Sequence, residues 1–232
     1  MTAAEFDQYA DDYRAMHEAN ISASGETPEY FAEYKIRDLA RLIEGEGGNK
    51  GTVELLDFGG GVGASLPFYQ DYLPAARITC GDLSVKSLAV AKSHGTAKTD
   101  FVALDGASLP FPDRTFDYVF VACVFHHIPA EHHLPVLHEL HRVLKGRGML
   151  MIYEHNPLNP LTVAAVNSCP FDANACLIRS TAMRDKLVAA GFGRSRIRYR
   201  VFFPKVLQRL RWLEDRLAWL PLGAQYFVVG TR

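Results

Sequence analysis

The stretch that most constrains the fold is Val53–Leu66, where a short apolar run gives way to a glycine-rich segment. The apolar residues before the glycines are typical of a buried strand in a parallel sheet. Glycines at positions 59, 61 and 63 allow positive φ in a tight turn and leave no Cβ to keep a ligand from the backbone. The helix predicted after them has free amides at its N-terminus, which suit an electronegative group. The pattern predicts a strand, a loop and a helix that together hold a small ligand.

The glycine spacing is compatible with more than one ligand. Gly59, Gly61 and Ala64 fit the dinucleotide pattern GxGxxA, and Asp82 lies about where a ribose contact is expected. Asp57 favours a different ligand, because a carboxylate so close to the loop would crowd a pyrophosphate and attract a cation. A glycine-rich turn that binds nothing is the third alternative. The sequence pattern D-x-G-x-G-x-G that starts at Asp57 resembles the first motif of class I S-adenosylmethionine-dependent methyltransferases.

Composition restricts the class of protein further. Of 232 residues, 48% are apolar and 22% are charged, which is ordinary for a globular domain, and the net charge is −1. This charge gives no general attraction to nucleic acid. The acidic N-terminus is not a signal peptide, and no apolar run is long enough to span a bilayer. The cysteines at 80, 123, 169 and 176 are predicted to be buried thiols, which favours a cytoplasmic protein.

Strand-like and helix-like segments alternate after Val53, which predicts a doubly wound parallel sheet in a single α/β domain over residues 1–232. Residues 1–45 are predicted to form an N-terminal helical cap, and residues 155–178 and 204–221 to cover the sheet. The resemblance to class I methyltransferases implies a Rossmann-like three-layer sandwich. It also implies a seven-stranded sheet in the order 3-2-1-4-5-7-6, with strand 7 antiparallel.

Three segments carry more specific predictions. Residues 3–18 have apolar residues at helical spacing and are predicted to form an amphipathic helix. Residues 195–203 alternate arginine with apolar residues, which predicts an edge strand whose arginines lie in water. Residues 205–220 place apolar residues on one helical stripe, which predicts a helix docked on the sheet. With Trp212 and Trp219 this helix also fits a weak contact with a membrane surface.

The resemblance implies S-adenosylmethionine as cofactor and S-adenosylhomocysteine as product. Asp82 ends the second strand, where the acidic residue of the family binds both ribose hydroxyls. Asp105 ends the third strand, where the family binds adenine. Tyr9, Tyr13 and Lys35, from the N-terminal cap, are candidates for a lid over the cofactor and the acceptor. The residues predicted to contact the cofactor are Tyr13, Lys35, Asp57, Gly59, Gly61, Gly63, Asp82, Leu83, Asp105, Gly106, Ala107, Cys123 and Phe125.

The resemblance further implies methyl transfer to an O, N or C atom of a small-molecule acceptor; a lipid-linked or phosphorylated acceptor is the alternative. Strand four leads to His126 and His127, and strand five to Glu154 and His155. Both strands end at the edge where open α/β sheets bind ligands. Because histidine titrates near neutrality, we favour His127 and His155 as general base, with Glu154 orienting one of them. Histidines that only pack on the cofactor or cap a helix are the alternative.

Three rival interpretations remain open. Six histidines between residues 126 and 141 suggest a metal, but no HExxH or Cys/His spacing is present, and we predict no metal site. His138 and His141 are predicted to be solvated residues of one helix face. A protein that binds S-adenosylmethionine without catalysis, as a partner or regulator, fits the same motifs. A nicotinamide-dependent oxidoreductase fits the glycine loop alone.

Overall fold

A computed structural model of the chain describes residue 7 and residues 13–45, 52–106 and 108–232. The strands are β1 (Glu54–Phe58), β2 (Arg77–Asp82), β3 (Thr99–Ala103), β4 (Phe116–Ala122), β5 (Leu144–His155), β6 (Gly193–Arg200) and β7 (Gln225–Thr231). They form one seven-stranded sheet in the order β3-β2-β1-β4-β5-β7-β6. The first five strands pair in parallel, whereas β7 runs antiparallel to β5 and β6. The predicted strand order is therefore confirmed.

Eight α-helices are described, and they alternate with the strands over most of the chain. They are α1 (Tyr13–Ile21), α2 (Pro28–Gly45), α3 (Leu66–Tyr72), α4 (Val85–Ala91), α5 (His133–Val143), α6 (Pro160–Ser168), α7 (Ser180–Ala189) and α8 (Glu214–Leu217). The helix predicted over residues 3–18 is described only from Tyr13, and it extends to Ile21. Most of its earlier residues lie outside the described part of the chain.

Two apolar cores lie on opposite faces of the sheet, which makes the predicted three-layer sandwich. One core joins the strands to α2, α3 and α4, and it includes Ile36 and Tyr69. The other joins them to α5 and α7 and includes Leu140 and Leu187. Since burying one such leucine or isoleucine side chain stabilises a protein by about 1.5–3 kcal/mol, these faces hold the helices on the sheet. The central strands are thereby fixed, and their carboxyl ends meet at one edge.

The edge strand β6 departs from the prediction at one of its arginines. Its register with β7 leaves Arg196 and Arg198 exposed, as predicted. Arg200 is instead largely buried, with its Nε 2.7 Å from Asp38 of α2 and its Nη1 2.8 Å from Asp215. The prediction that all three arginines lie in water is therefore wrong. An alternating pattern shows only the two faces of a strand, and cannot show that a helix carboxylate covers one end of the polar face.

The prediction of a docked helix over residues 205–220 is also wrong. Lys205–Leu213 is a 3₁₀ helix with a break at Leu207, and only Glu214–Leu217 is α-helical. The geometry of 3.0 residues per turn destroys the stripe that 3.6 residues per turn would give. Val206 is therefore 85% exposed, although the prediction placed it in the core. The segment is held through Arg211, which lies over the Tyr30 ring at 4.4 Å.

The cysteines and the helices bear on the predicted compartment. All four cysteines are free; Cys80 and Cys169 are buried, Cys123 is half-buried, and Cys176 is exposed. The prediction that every thiol is buried is wrong for Cys176, which lies in the irregular part of the 155–178 segment. Among the described helices none combines the length and the apolar character that a membrane crossing requires.

Candidate functional site

The glycine loop follows β1 and needs glycine for two different reasons. Gly59, Gly61 and Gly63 have φ of 76°, 52° and 77°, a region that side-chain-bearing residues rarely adopt. A Cβ on Gly59 would collide with Val124, and one on Gly63 would lie 2.8 Å from the Cβ of Ala91. A Cβ on Gly61 would meet nothing within 4 Å. Two of the glycines thus let the loop pack, while the middle one leaves space beside the backbone.

Asp82 fixes the loop to the end of β2. Its Oδ2 accepts the Gly61 N–H at 2.8 Å, and its Oδ1 accepts the Ser84 N–H at 2.8 Å. Each carboxylate oxygen can accept a second hydrogen bond, so the group retains capacity for ligand hydroxyls. Asp57 lies beneath the loop and is almost completely buried. Burial, aided by the charge of Asp82 and opposed by the Tyr69 hydroxyl group, raises the pKa of the Asp57 carboxyl to about 7.

The loop opens into a cavity of 1210 Å³ that extends along the carboxyl ends of β1 to β5. Gly63 and the core residue Phe125 do not line it, and neither does Glu154. Tyr9 and Ala107 lie outside the described residues, and for Tyr13 only the backbone is described. The predicted residues that line the cavity are Lys35, Asp57, Gly59, Gly61, Asp82, Leu83, Asp105, Gly106, Cys123, His126, His127 and His155.

The cavity has two sides that differ in their residues. The glycine side consists of Gly59, Gly61, Asp82 and Asp105, which lie at or just after the carboxyl ends of β1, β2 and β3. The histidine side consists of His126, His127, His155 and Asp172, which follow β4 and β5 or lie in the 155–178 segment.

The histidine side is held by a buried carboxylate. His126 Nδ1 lies 2.5 Å from Glu154 Oε2, and Glu154 Oε1 accepts the Phe125 N–H at 2.7 Å. The opposite nitrogen of the same ring, His126 Nε2, lies 3.5 Å from Asp172 Oδ1. His127 Nε2 lies 3.4 Å from that same oxygen. The His155 ring is further off, 5.2 Å from the His126 ring.

The two adjacent histidines of this group have very different pKa values. Burial alone would lower the pKa of His126, but Glu154 and Asp172 overcome it and raise that pKa to about 10. Burial lowers the pKa of His127 to about 3, and the neighbouring positive charge of His126 acts in the same direction. With no cation bound beside them, His126 is therefore an imidazolium at neutral pH, whereas His127 is neutral and its unprotonated nitrogen is a weak base.

Cys123 stands between the two sides, directly after β4, with an unusual φ of 58°. Lys35 Nζ lies 3.6 Å from its sulfur, and Gln225 Nε2 lies 3.9 Å from it. Burial would raise the pKa of the Cys123 thiol, but Lys35 and His155 lower it to about 7. Tyr34 in turn donates a hydrogen bond to Gln225. This network orients the Lys35 ammonium group toward the cavity wall.

Asp172, Gln225 and His17 are among the residues of this wall that sequence reasoning missed. Asp172 lies in a 3₁₀ turn of the covering segment, and Gln225 begins β7. His17 belongs to α1, and burial lowers its pKa to about 4. None of them is part of a local motif. Their only sequence signal is membership of segments predicted to cover the ligand edge of the sheet.

Residues 56–152 match the family described as a methyltransferase domain. A ubiquinone/menaquinone biosynthesis C-methyltransferase (UbiE) of Hahella chejuensis is 28% identical over 140 residues, covering 57% of this chain and 55% of that protein. The human thiol S-methyltransferase TMT1B is 31% identical over 129 residues, covering 53% of this chain and 51% of that protein. The chain thus spans about half the length of the curated relatives it matches.

The fold has close counterparts among solved structures. A Thermotoga maritima S-adenosylmethionine-dependent methyltransferase, described as a possible histamine N-methyltransferase, aligns with a TM-score of 0.67 at 16% identity over 98% of both chains. An identity this low shows a shared fold. The matched domain begins inside β1 and ends inside β5, so it contains the glycine loop and Asp82. By its matched domain and its strand order, the chain is similar to the class I S-adenosylmethionine-dependent methyltransferases.

Proposed function

We propose that this chain transfers the methyl group of S-adenosylmethionine to a small acceptor that enters the histidine side of the cavity. The observation that carries the proposal is that one cavity joins both sides. Its 1210 Å³ exceeds the roughly 300–1,000 Å³ typical of a site for one small ligand. A cofactor and an acceptor can therefore lie side by side in it.

The residues of the glycine side fit the cofactor. Open space beside Gly61 admits the ligand to the backbone, and Asp82 can accept hydrogen bonds from both ribose hydroxyls. Asp105 and Gly106 follow β3, where adenine would lie. At the other end, the Lys35 ammonium group suits the carboxylate of the methionine moiety, and Asp57 suits its ammonium group. Bound there, S-adenosylmethionine supplies an electrophilic methyl group on a sulfonium.

The acceptor proposed here is apolar and carries a hydroxyl or thiol. Beyond Cys123 the cavity wall carries many hydrocarbon and aromatic side chains, with polar ones such as Asn159, Thr162 and Gln225 among them. The relatives named above include a quinone C-methyltransferase and a thiol S-methyltransferase, and both names are consistent with such acceptors. The apolar residues of this wall are Met16, Ile21, Phe31, Val166, Phe171 and Phe202.

The reaction needs alignment and, for a neutral nucleophile, removal of one proton. Methyl transfer is an in-line displacement: the acceptor forms a bond to the methyl carbon while the sulfur–methyl bond breaks and S-adenosylhomocysteine leaves. His127 and His155 are the proposed bases that take the acceptor proton. The lowered pKa of His127 makes it a weak base in the unliganded chain. His126 is a poorer base, because its Nδ1 is bonded to Glu154 and the ring is already protonated.

The test combines binding with product formation. Calorimetry should show binding of S-adenosylmethionine and S-adenosylhomocysteine, and a radiolabelled methyl donor should yield product with a reduced naphthoquinone or an alkyl thiol. Binding of both cofactor forms without product from any acceptor would identify a non-catalytic binder. Binding of NAD in place of S-adenosylmethionine would instead identify an oxidoreductase.

A further inference from the structure

Three ligand atoms converge at one point of the histidine side. His126, His127 and Asp172 each offer one atom, and these atoms all lie within 4.8 Å of one another. All three residues are buried, yet all three line the cavity. Two imidazoles and a carboxylate form a donor set that suits zinc and neighbouring first-row metals, and they would leave coordination positions for other ligands.

The spacing of these atoms fits a bound ion. Zinc binds imidazole nitrogen and carboxylate oxygen at about 2.0–2.2 Å, which in tetrahedral geometry separates two ligand atoms by about 3.4 Å. Asp172 Oδ1 lies 3.5 Å from His126 Nε2 and 3.4 Å from His127 Nε2. Both distances exceed the roughly 2.7–2.9 Å typical of a charge-assisted hydrogen bond. The carboxylate and the two rings are thus separated as ligands of one ion would be.

The His126 ring is oriented by a hydrogen bond of the kind that usually supports a metal-binding histidine. A metal-binding histidine usually donates its other N–H to a carboxylate, which fixes both the tautomer and the ring orientation. His126 does so through Nδ1 to Glu154, and Glu154 is itself held by the Phe125 amide. Nε2 of the same ring thereby points at Asp172 and the cavity.

We propose that His126, His127 and Asp172 form a binding site for a divalent transition-metal ion such as Zn²⁺. The remaining coordination positions face the cavity, where an oxygen or sulfur atom of the acceptor would bind the ion. A hydroxyl or thiol bound in this way is more acidic than the free group. Metal binding stands independently of the proposed methyl transfer, whereas this role toward an acceptor rests on it.

The simplest competing arrangement has no metal and consists of a protonated His126 between two carboxylates. It predicts no metal binding, and the two arrangements are therefore separable by titration. The experiment uses the full chain without a polyhistidine tag, freed of metal by a chelator. Zn²⁺ is titrated by calorimetry, and Co²⁺ is followed by its visible absorption bands. We expect saturable binding of a single equivalent of either ion, and wild-type protein without it would overturn the proposal.

Variants locate the site. Asp172→Asn and His127→Gln keep the side-chain size and should weaken Zn²⁺ binding roughly 100-fold or more. Glu154→Gln should weaken it less, by roughly 10-fold to 100-fold, at unchanged stoichiometry. His138→Ala, which removes an exposed helix histidine, should bind as the wild type does. Wild-type affinity in Asp172→Asn and His127→Gln, or a loss of binding in His138→Ala, would overturn the assignment.

Two further measurements keep the result interpretable. Binding of S-adenosylhomocysteine to each variant reports whether the sheet and the glycine side remain folded. X-ray absorption of the Zn²⁺-loaded wild type should show two imidazoles and at least one oxygen, and a different set would contradict the site even if no variant folds. Zinc binding without methyl transfer would support the metal site and contradict the proposed function. Methyl transfer without zinc binding would support the proposed function and contradict the metal site.

Discussion

The glycine side and the histidine side of the cavity are built in different ways. On the glycine side the backbone shapes the site, with positive φ at Gly59 and Gly61 and a loop tied to Asp82. On the histidine side the site consists of side chains, which come from β4, β5 and the 155–178 segment. The geometry of the glycine side is set by the sheet itself, whereas the geometry of the histidine side depends on how the 155–178 segment packs. This difference predicts which variants change cofactor binding and which change only turnover.

The largest effect is expected from the proposed bases. His127→Ala and His155→Ala should each lower turnover by roughly 100-fold to 10,000-fold, because a positioned base contributes about that factor. Cofactor affinity should stay nearly unchanged, since neither residue belongs to the glycine side. Turnover is measured from pH 6 to pH 9 with whichever acceptor gives product, alongside calorimetry with S-adenosylhomocysteine.

His138→Ala is the matched control for these variants, because it deletes an exposed imidazole. If both variants keep wild-type turnover across the pH range, neither histidine is the base and alignment of the two substrates suffices. If His127→Ala loses turnover together with Zn²⁺ binding, His127 acts as a metal ligand and His155 remains the candidate base. His127 Nε2 lies 3.4 Å from Asp172 Oδ1, a position that allows it to act either as a base or as a metal ligand. These results distinguish the two roles.

The same contrast explains what could be predicted from the sequence. The positions of Asp82 and Asp105 follow from local signals, since each lies where an apolar run ends, whereas the strand order is implied by the family resemblance. Asp172 could not be predicted as a neighbour of His126, because no spacing rule links β4 to a turn in a covering segment. Sequence arguments against a metal considered only local spacing and so could not include this carboxylate. The failed helix over 205–220 has a related cause, since Arg211 and Tyr30 fix that segment through a tertiary contact.

A smaller effect is expected on the glycine side from Asp82→Ala. The variant should weaken binding of S-adenosylhomocysteine by about 2–3 kcal/mol, because it removes charge-assisted hydrogen bonds to the ligand. It also removes the acceptor of the Gly61 N–H, so the loop loses its tie to β2. Calorimetry gives the affinity, and Asp100→Ala, at an exposed position of β3, is the control. Unchanged affinity in Asp82→Ala would exclude Asp82 from the cofactor site.

The smallest effect expected is on stability, from Asp57→Asn. Burial raises the pKa of Asp57 from its usual value of 3.8 to about 7 in the folded chain. A carboxyl group of this kind stabilises the fold fully at pH values below its unfolded pKa, and that contribution is lost as the pH rises through about 7. At pH 8 the wild type therefore holds a buried charge that the asparagine variant lacks.

Asp57→Asn should accordingly raise the free energy of unfolding at pH 8 by about 1–2 kcal/mol, and by less at pH 5. The gain stays below the full value of the pKa shift because the asparagine amide must still be buried as a polar group. Urea unfolding at both pH values measures it, with Asp100→Asn as control. A ligand ammonium group beside Asp57 would compensate the buried charge, so saturating S-adenosylmethionine should narrow the difference between wild type and variant. If the variant is less stable than wild type at pH 8, the buried carboxylate contributes to the fold itself. Asp57 would then not be a destabilising buried charge that a cationic ligand compensates.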